Sequence, residues 1–231
     1  MSNTLYIQKM NILGLVLSFA LIGIVVGLGV LMSRFEKISP EVVRKFIHIA
    51  VSNWWFILLF AFNTLQIAII GPIFFIIANG TAVFTGLANV LGEKDIKRNL
   101  GLVYFPISLL VLVVLAFTGI IPLWASTIGV FTMGYGDGLA ALIGTFFGKK
   151  KVFGQKSYVG SIVMFITTTI VILITSFAFK VGDVVSIDFL LRVFVISISA
   201  TLIEIFTPSG LDNLSVPIGT AILSALVIGT L

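Results

Sequence analysis

Eight long apolar runs, separated by short charged loops, constrain the fold of this 231-residue chain more than any other feature. An α-helix needs about 20 such residues to cross the hydrocarbon core of a bilayer. The mean hydropathy of +1.22, with only 10% charged residues, excludes a soluble globular protein. The predicted spans are residues 11–32, 46–62, 65–83, 101–119, 122–146, 158–180, 187–206 and 214–231. We therefore expect an all-α polytopic membrane bundle of about eight transmembrane helices, forming a single integral membrane domain over residues 1–231.

The basic residues indicate how these spans are oriented. Most of the 14 lysines and arginines lie in the loops that follow the first, third and fifth spans: Arg34, Lys37, Arg44, Lys45, Lys94, Lys97, Arg98, Lys149, Lys150, Lys151 and Lys156. Loops rich in lysine and arginine remain in the cytoplasm. The sequence thus predicts a multi-pass protein of the cell membrane, with its charged face in the cytoplasm and both termini outside. The net charge of +5 reflects this orientation rather than binding to nucleic acid.

The fifth span differs from the others because Asp137 lies inside it, between Gly136 and Gly138. A charged side chain near the centre of a bilayer costs at least about 2.5 kcal/mol, so such residues usually carry function. Irregular backbone at that depth persists only where protein groups or water form hydrogen bonds with its free N–H and C=O groups. We expect this helix to be broken or tilted around Asp137 and to line a cavity. A carboxylate beside closely approaching backbone suits Mg²⁺, which binds a few carboxylates together with phosphate oxygens and water.

The glycines around Asp137 admit two interpretations. Gly136, Ala140, Gly144 and Gly148 recur at every fourth residue, as in membrane helices that pack through small residues. Gly138 and Gly144 are equally candidates for backbone that approaches a nucleotide phosphate.

Basic residues that precede the sixth span are candidate phosphate ligands. Lys156 and Ser157 stand at the start of that helix, where unpaired backbone N–H groups and the helix dipole favour an anion. At least two of the lysines at positions 149–151 are better explained as orientation signals that contact lipid headgroups. Lys149 is retained among the candidate phosphate ligands. The spacing of residues from Gly148 to Ser157 does not match a P-loop.

Charged residues at the start of the second span share one face of a helix. Glu41, Arg44, Lys45 and His48 follow the three-or-four spacing of helical neighbours. Arg44 and Lys45 are predicted to bind phosphate. His48 is the one histidine of the chain. For it, a structural role competes with a role as catalytic base or as hydrogen-bond donor to a phosphate.

Three further polar sites fall on the same predicted face of the membrane. Arg98 and Asn99, before the fourth span, are candidates for closing over a ligand. Glu204 is either a carboxylate that snorkels to the interface or an acidic contributor to a metal site. Asp212 and Asn213 are either caps of the last helix or ligands of the same metal ion.

Five segments, spread in order over residues 41–217, carry a resemblance to one family of enzymes. They are Arg44-Lys45-Phe46-Ile47-His48; Arg98-Asn99-Leu100-Gly101 with Tyr104-Phe105-Pro106; Gly136-Asp137-Gly138-Leu139-Ala140-Ala141-Leu142-Ile143-Gly144 with Phe147-Gly148-Lys149; Lys156-Ser157-Tyr158-Val159-Gly160-Ser161; and Glu204 with Ser209-Gly210-Leu211-Asp212-Asn213 and Pro217. Together the segments resemble the polyprenol kinase family, the membrane kinases that include dolichol kinase, phytol kinase and the CTP-dependent diacylglycerol kinase.

The resemblance implies a Mg²⁺-dependent transfer of the γ-phosphoryl group of CTP to a lipid alcohol, either a prenyl alcohol or diacylglycerol. It also implies functional roles for Arg44, Lys45, Asp137 and Gly144. The related phosphatidate cytidylyltransferases share the glycine–aspartate–alanine stretch. They end in a longer basic and glycine-rich signature, however, where this chain has only a brief turn. Cytidylyl transfer is therefore the second interpretation.

The predicted site follows from these segments. The catalytic candidates are Arg44, Lys45, His48 and Asp137; the nucleotide and phosphate ligands are Arg44, Lys45, Arg98, Gly138, Gly144, Lys149, Lys156 and Ser157; the metal ligands are Asp137, Glu204, Asp212 and Asn213. A small-solute transporter is the non-enzyme alternative, but it needs access from both faces of the membrane, whereas these residues gather on one. The expected partners are a membrane lipid alcohol and a nucleoside triphosphate, without nucleic acid. The oligomeric state stays open, a dimer included.

Overall fold

The long apolar segments make nearly every element of this protein an α-helix. The structure, a computed structural model, describes residues 2–91, 96–208 and 210–229, without the side chains of residues 2, 3, 90, 91, 97 and 98. In chain order the helices are α1 (Ser2–Ser33), α2 (Pro40–Ser52), α3 (Trp54–Ala61), α4 (Leu65–Ala68), α5 (Ile70–Phe84), α6 (Ile96–Asn99), α7 (Gly101–Phe117), α8 (Leu123–Phe131), α9 (Gly138–Phe147), α10 (Tyr158–Phe179), α11 (Ile187–Phe206) and α12 (Asp212–Ile228).

Three shorter elements interrupt this series of helices. A 3₁₀ helix (Leu87–Leu91) follows α5, and a π-helical turn (Thr132–Asp137) joins α8 to α9. An antiparallel hairpin of two strands, β1 (Lys151–Phe153) and β2 (Lys156–Ser157), precedes α10.

Six helical segments within the described ranges are long and apolar enough to cross a membrane: Thr4–Ser33, Pro40–Ala61, Leu65–Phe84, Leu123–Phe147, Tyr158–Phe179 and Ile187–Phe206. The apolar helices α7 and α12 have 17 residues each. At 1.5 Å per residue they are about 25 Å long. These helices correspond to the eight predicted runs, so the predicted all-α polytopic membrane bundle is confirmed.

The second span begins earlier than its hydropathy predicts. The apolar run predicts a start at residue 46, but α2 begins at Pro40, behind Ser39, whose hydroxyl accepts from Val42 N at 3.4 Å. An N-cap serine followed by proline is a strong helix start. The charged residues of this first part line a cavity inside the bundle. α2 therefore carries Arg44 and Lys45 into the protein instead of leaving them in a loop.

The irregular helix predicted around Asp137 contains a π-helical turn, of which Asp137 is the last residue. Turns of this kind shift side chains relative to a regular helix and are frequent at functional sites. The glycines of the turn allow close packing, since a Cβ at Gly136 would lie 2.9 Å from Met164 Sδ of α10. Asp137 is consequently enclosed by neighbouring helices and is fully buried.

Three apolar clusters of described residues hold the helices together, one of which packs α1 against α2 around Val25, Val43 and Ile47. The main core joins α3, α7, α8, α10 and α12 around Trp55, Leu112 and Met164. A second cluster, around Ile172 and Phe189, lies at the end of the bundle away from the hairpin. Hydrogen bonds also link neighbouring spans: Trp54 Nε1 to Ser18 Oγ at 2.7 Å, Trp55 Nε1 to Thr127 Oγ1 at 2.8 Å, and Asn79 Nδ2 to Leu102 O at 2.7 Å. Such bonds contribute about 0.6 kcal/mol each in membranes, so they orient helices more than they stabilise them.

Candidate active site

A cavity of about 570 Å³ opens between α1, α2, α5, α7, α9 and the start of α10. Its apolar end is formed by α1, α5 and α7. Its polar end is lined by Glu41, Arg44, Lys45, His48, Lys151, Gln155, Lys156, Ser157, Glu204, Asp212 and Asn213. Small-molecule sites in proteins have volumes of roughly 300–1,000 Å³. The cavity is therefore large enough for a ligand, and its two ends differ in chemistry.

Asp137 lies directly behind the polar end, in contact with Lys45. Lys45 Nζ donates to Asp137 Oδ2, and the two side chains are 8% and 1% exposed. The early start of α2 supplies the lysine, and the π-helical turn supplies the carboxylate. Removing one partner of a buried ion pair costs about 3–5 kcal/mol, because the other charge stays buried and unpaired. The pair therefore fixes α2 against the π-helical turn.

Lys156 brings together three carboxylates from distant parts of the chain. Its Nζ pairs with Glu204 Oε1 and lies 3.1 Å from Asp212 Oδ2 and 3.6 Å from Asp137 Oδ1. Burial alone would lower the pKa of Lys156, but the charges of Asp137, Asp212 and Glu204 outweigh it and raise that pKa above its usual value. Lys156 is therefore a permanent cation at the centre of the site.

Several buried acceptor oxygens near Lys156 have no hydrogen-bond partner among the described residues. They are Asp137 Oδ1, Glu204 Oε2 and Asn213 Oδ1. Buried polar atoms normally have a partner, so these oxygens are suited to an incoming cation or donor. No three of the described Asp, Glu or His side chains are arranged to bind a metal ion unaided. The oxygens fit Mg²⁺, which takes one or two carboxylates and completes its shell with water and phosphate.

Asp212 uses its two oxygens differently. Oδ1 accepts from the backbone N–H groups of Gly210 at 3.0 Å and Asn213 at 3.1 Å, which shapes the turn before α12. Oδ2 faces Lys156. One oxygen of Asp212 therefore has a structural role at the start of α12 and the other faces the cavity, while its role as a metal ligand stays a prediction.

The hairpin and two glycines position the start of α10. Ser157 Oγ accepts from Gly160 N at 3.1 Å and caps the helix. A Cβ at Gly144 of α9 would lie 2.9 Å from Ser157 Oγ and 3.4 Å from Gly160 Cα, and Gly148 packs against Ser157 in the same way. A larger residue at Gly144 would push α9 and α10 apart. The glycine permits the contact that places Lys156 beside the cavity.

His48 lies where the polar end of the cavity meets the apolar end. Its ring packs against Phe105 with a centroid distance of 4.2 Å. Its Nε2 is buried and has no hydrogen-bond partner in the described part of the chain. An imidazole nitrogen in this position can accept a hydrogen bond from a ligand hydroxyl, or donate one to a phosphate.

Comparison with known proteins identifies the family. The phytol kinase of Synechocystis sp. is 30% identical to this chain over 217 residues, which cover 88% of this chain and 86% of that protein. This chain belongs to the polyprenol kinase family. No protein-family model matches it, and neither does any solved structure. As a polyprenol kinase, the protein is a membrane phosphotransferase, in agreement with the expectation from its sequence.

Most residues predicted for the polyprenol kinase site lie together in the structure. Those that line the cavity are Arg44, Lys45, His48, Gly144, Lys156, Ser157, Glu204, Asp212 and Asn213. Arg44 is held by Glu41, whose two carboxylate oxygens lie 2.7 and 2.8 Å from Arg44 Nη2. Asp137 contacts the cavity through Lys45 and Lys156. The acidic and basic residues of four separate segments thus meet at one place.

Two predicted phosphate ligands, Gly138 and Lys149, are placed otherwise, and a third, Arg98, cannot be compared. Gly138 faces α2, where a Cβ would lie 2.9 Å from Ile49 Cδ1, so helix packing accounts for this glycine. Lys149 is exposed and is not among the residues that line the cavity. The side chain of Arg98 lies outside the described residues.

Lys151 and Gln155 also line the cavity, although the sequence pattern predicts only a loop at this segment. Gly154, with φ of 52°, turns the chain between the two strands, and Lys151 Nζ donates to Gln155 O at 3.0 Å. A glycine in a short turn between two runs is a hairpin signal. That signal in Val152-Phe153-Gly154-Gln155-Lys156 could have distinguished Lys151, which lines the cavity, from its neighbours Lys149 and Lys150, which do not.

Proposed function

We propose that this polyprenol kinase transfers the γ-phosphoryl group of CTP to the hydroxyl of a membrane lipid alcohol, a prenyl alcohol or diacylglycerol, in a Mg²⁺-dependent reaction. One observation carries the proposal: a single cavity has a cluster of buried charges at one end and apolar helices at the other. The substrates have matching parts, since a triphosphate is highly charged and a lipid alcohol joins a hydroxyl to a hydrocarbon chain.

The cations of the polar end are the proposed phosphate ligands. Phosphoryl transfer depends on positioning and on stabilisation of the charge that develops on the transferred group. Arg44, Lys45, Lys151 and Lys156 reach the cavity from three elements. Lys45 and Lys156 are already held in place by carboxylates, so little reorganisation is needed when a nucleotide binds.

Asp137, Glu204, Asp212 and Asn213 are the proposed ligands of Mg²⁺. Held by these residues, Mg²⁺ would supply positive charge that offsets the charge of the nucleotide phosphates. An oxygen of each of Asp137, Glu204 and Asn213 accepts no hydrogen bond from the described residues, which supports this role. Three of these ligands are carboxylates that meet at Lys156, so a cation bound beside them would have three negative charges close by.

His48 is proposed to act on the acceptor. The lipid hydroxyl approaches from the apolar end and donates its proton to His48 Nε2, the hydroxyl oxygen bonds to the γ-phosphorus, and CDP leaves. The buried, unpartnered Nε2 at the boundary between the two ends supports this assignment. The positive-inside distribution supports a cytoplasmic position for the site, where soluble nucleotide is present.

A substrate screen tests the proposal. The purified protein in lipid nanodiscs receives CTP, ATP, GTP or UTP with phytol, farnesol, longer polyprenols or diacylglycerol, and phosphate in the organic extract is measured. We expect CTP with a lipid alcohol to yield a phosphorylated lipid and CDP. Phosphoryl transfer from another nucleotide but not from CTP would contradict the proposal that CTP is the phosphoryl donor. Solute uptake without any labelled lipid would favour a transporter.

A further inference from the structure

The apolar end of the cavity reaches the lipid-facing surface of the bundle between α1 and α5. Val26 of α1 and Leu87 of the 3₁₀ helix both line the cavity, yet they are 43% and 64% exposed. Exposure of this extent is typical of side chains on the outer surface of a membrane bundle. At these two positions the cavity wall is therefore also the outer wall of the protein.

The face of α1 that points toward α5 explains the opening. Phe19, Gly23 and Val26 share this face, because they are four and three residues apart. The Phe19 ring contacts Phe74 and Phe75 of α5, at centroid distances of 5.1 and 6.0 Å, and joins the two helices there. One turn later α1 has no side chain, and a Cβ at Gly23 would meet no atom within 4 Å. No atom of the described residues therefore covers α1 at Gly23, directly after the Phe19 contact.

Small side chains continue this gap on α5. Ala82 lines the cavity with a single methyl group. Asn79 also lines it, but its Nδ2 is held by Leu102 O of α7 at 2.7 Å. On the far wall, the cavity extends along α2 and α3 from His48 to Trp54, a rise of about 9 Å at 1.5 Å per residue. The enclosed apolar part is therefore short, and the gap offers a way out of it.

We propose that the gap between α1 and α5, bordered by Gly23, Val26 and Ala82, is the path by which the hydrocarbon chain of the acceptor alcohol extends from the cavity into the bilayer. This inference rests on the proposed function and defines what the enzyme recognises. The hydroxyl and the nearest carbons are enclosed, and the rest of the chain stays in lipid.

The path has a consequence for specificity. Carbons that stay in lipid do not change their surroundings when the alcohol binds. Because lipid tails are as apolar as the helix surfaces, these carbons add nothing to the affinity for the enzyme. The enzyme therefore discriminates between alcohols by the hydroxyl end and has no upper limit on chain length. A closed cavity would instead impose such a limit.

Chain-length dependence tests this inference. Wild-type protein in nanodiscs is given CTP with geraniol, phytol or a long polyprenol, which share an allylic alcohol end, each at the same mole fraction in the bilayer. An open path predicts kcat/KM values for phytol and the long polyprenol that agree within about threefold. A much lower kcat/KM for the long polyprenol than for phytol would overturn the inference, because it would show that the protein encloses the hydrocarbon chain.

A bulky side chain in the gap provides the second test. Val26→Trp is expected to lower the ratio of kcat/KM for the long polyprenol to that for geraniol by about tenfold or more. Ile24→Trp is the matched control, since Ile24 is 62% exposed on another face of α1, and it should leave the ratio unchanged. If Val26→Trp lowered kcat/KM equally for all the alcohols, the proposed path would be contradicted. If wild type phosphorylates no alcohol at all, the proposed function itself fails, a result distinct from failure of the path alone.

Discussion

Lys45 and Asp137 show how single residues determine this site, because each is buried with the other as its charge partner. Asp137→Asn removes the negative charge and one proposed metal ligand while keeping the size of the side chain. We expect phosphoryl transfer to fall by at least about 100-fold. We also expect a lower melting temperature, since the Lys45 ammonium stays buried without a counter-charge.

The control for this variant is Asp183→Asn, which changes an exposed aspartate outside the site. It should alter neither the rate of transfer from CTP nor the melting temperature. Normal turnover in Asp137→Asn would contradict the role of Asp137, whatever the melting temperature.

Lys156 gives a pH dependence whose sign follows from its raised pKa. A lysine that holds its proton more tightly when folded contributes its full stabilisation below the unfolded pKa of about 10.4 and loses it as pH rises further. The difference in melting temperature between wild type and Lys156→Met should therefore be constant from about pH 8 to 10 and shrink above that. Lys150→Met, at an exposed lysine, should match wild type throughout. A difference that already shrinks between about pH 8 and 9 would contradict the role of the three carboxylates.

At the scale of elements, the contact of α9 with the start of α10 places Lys156. Gly144→Val would add side-chain atoms to a position where even a Cβ lies 2.9 Å from Ser157 Oγ. We expect the variant to lose phosphoryl transfer by about tenfold or more, with the helix content unchanged, because Lys156 is displaced. Gly80→Val is the matched control, since a Cβ at Gly80 meets nothing within 4 Å. Similar activities of the two variants would show that the α9–α10 contact does not position the site.

The hydropathy pattern predicts the helices well. An apolar segment in a bilayer has no water to bond its backbone N–H and C=O groups, and a helix pairs these groups within the segment. Helix ends are less predictable. The start of α2 at Pro40 depends on a cavity that receives Arg44 and Lys45, and no local pattern describes that cavity. The choice between Lys149 and Lys151 likewise depends on the hairpin.

The residue types of the site are predictable for a related reason: charges in an apolar chain are few, so each one needs an explanation. The distances between these residues in the folded protein are not predictable in this way. Lys156 meets Asp137, Glu204 and Asp212 because strand β2, the π-helical turn, α11 and α12 converge, and spacing along the chain contains no information on that convergence.

Across the whole molecule, polar groups are distributed unequally between the two ends of the bundle. The charged cavity lies at one end. At the other end, Arg192 pairs with Asp188 at 2.8 Å and donates to Val227 O at 2.5 Å, near the end of α12. The site therefore lies at one end of the bundle, and the cytoplasmic position of that end stays a prediction from the distribution of basic residues.

Orientation can be tested with single cysteines, because the natural chain has none. Lys150→Cys and Asp183→Cys introduce thiols at exposed positions on opposite sides of the predicted bundle. In intact cells, a maleimide that cannot cross membranes should label Asp183→Cys and should label Lys150→Cys only after the cells are opened. The reverse labelling would contradict a cytoplasmic site.

The central claim is that this cavity transfers a phosphoryl group to a lipid alcohol. The most direct measurement follows CTP labelled in either its α- or its γ-phosphate, with the purified protein and phytol or diacylglycerol in nanodiscs. We expect the γ-label to enter the lipid extract while the α-label remains in water-soluble CDP, and we expect neither label to move with Asp137→Asn. Entry of the α-label into lipid, with release of pyrophosphate when phosphatidate is supplied, would contradict the claim and identify a cytidylyltransferase.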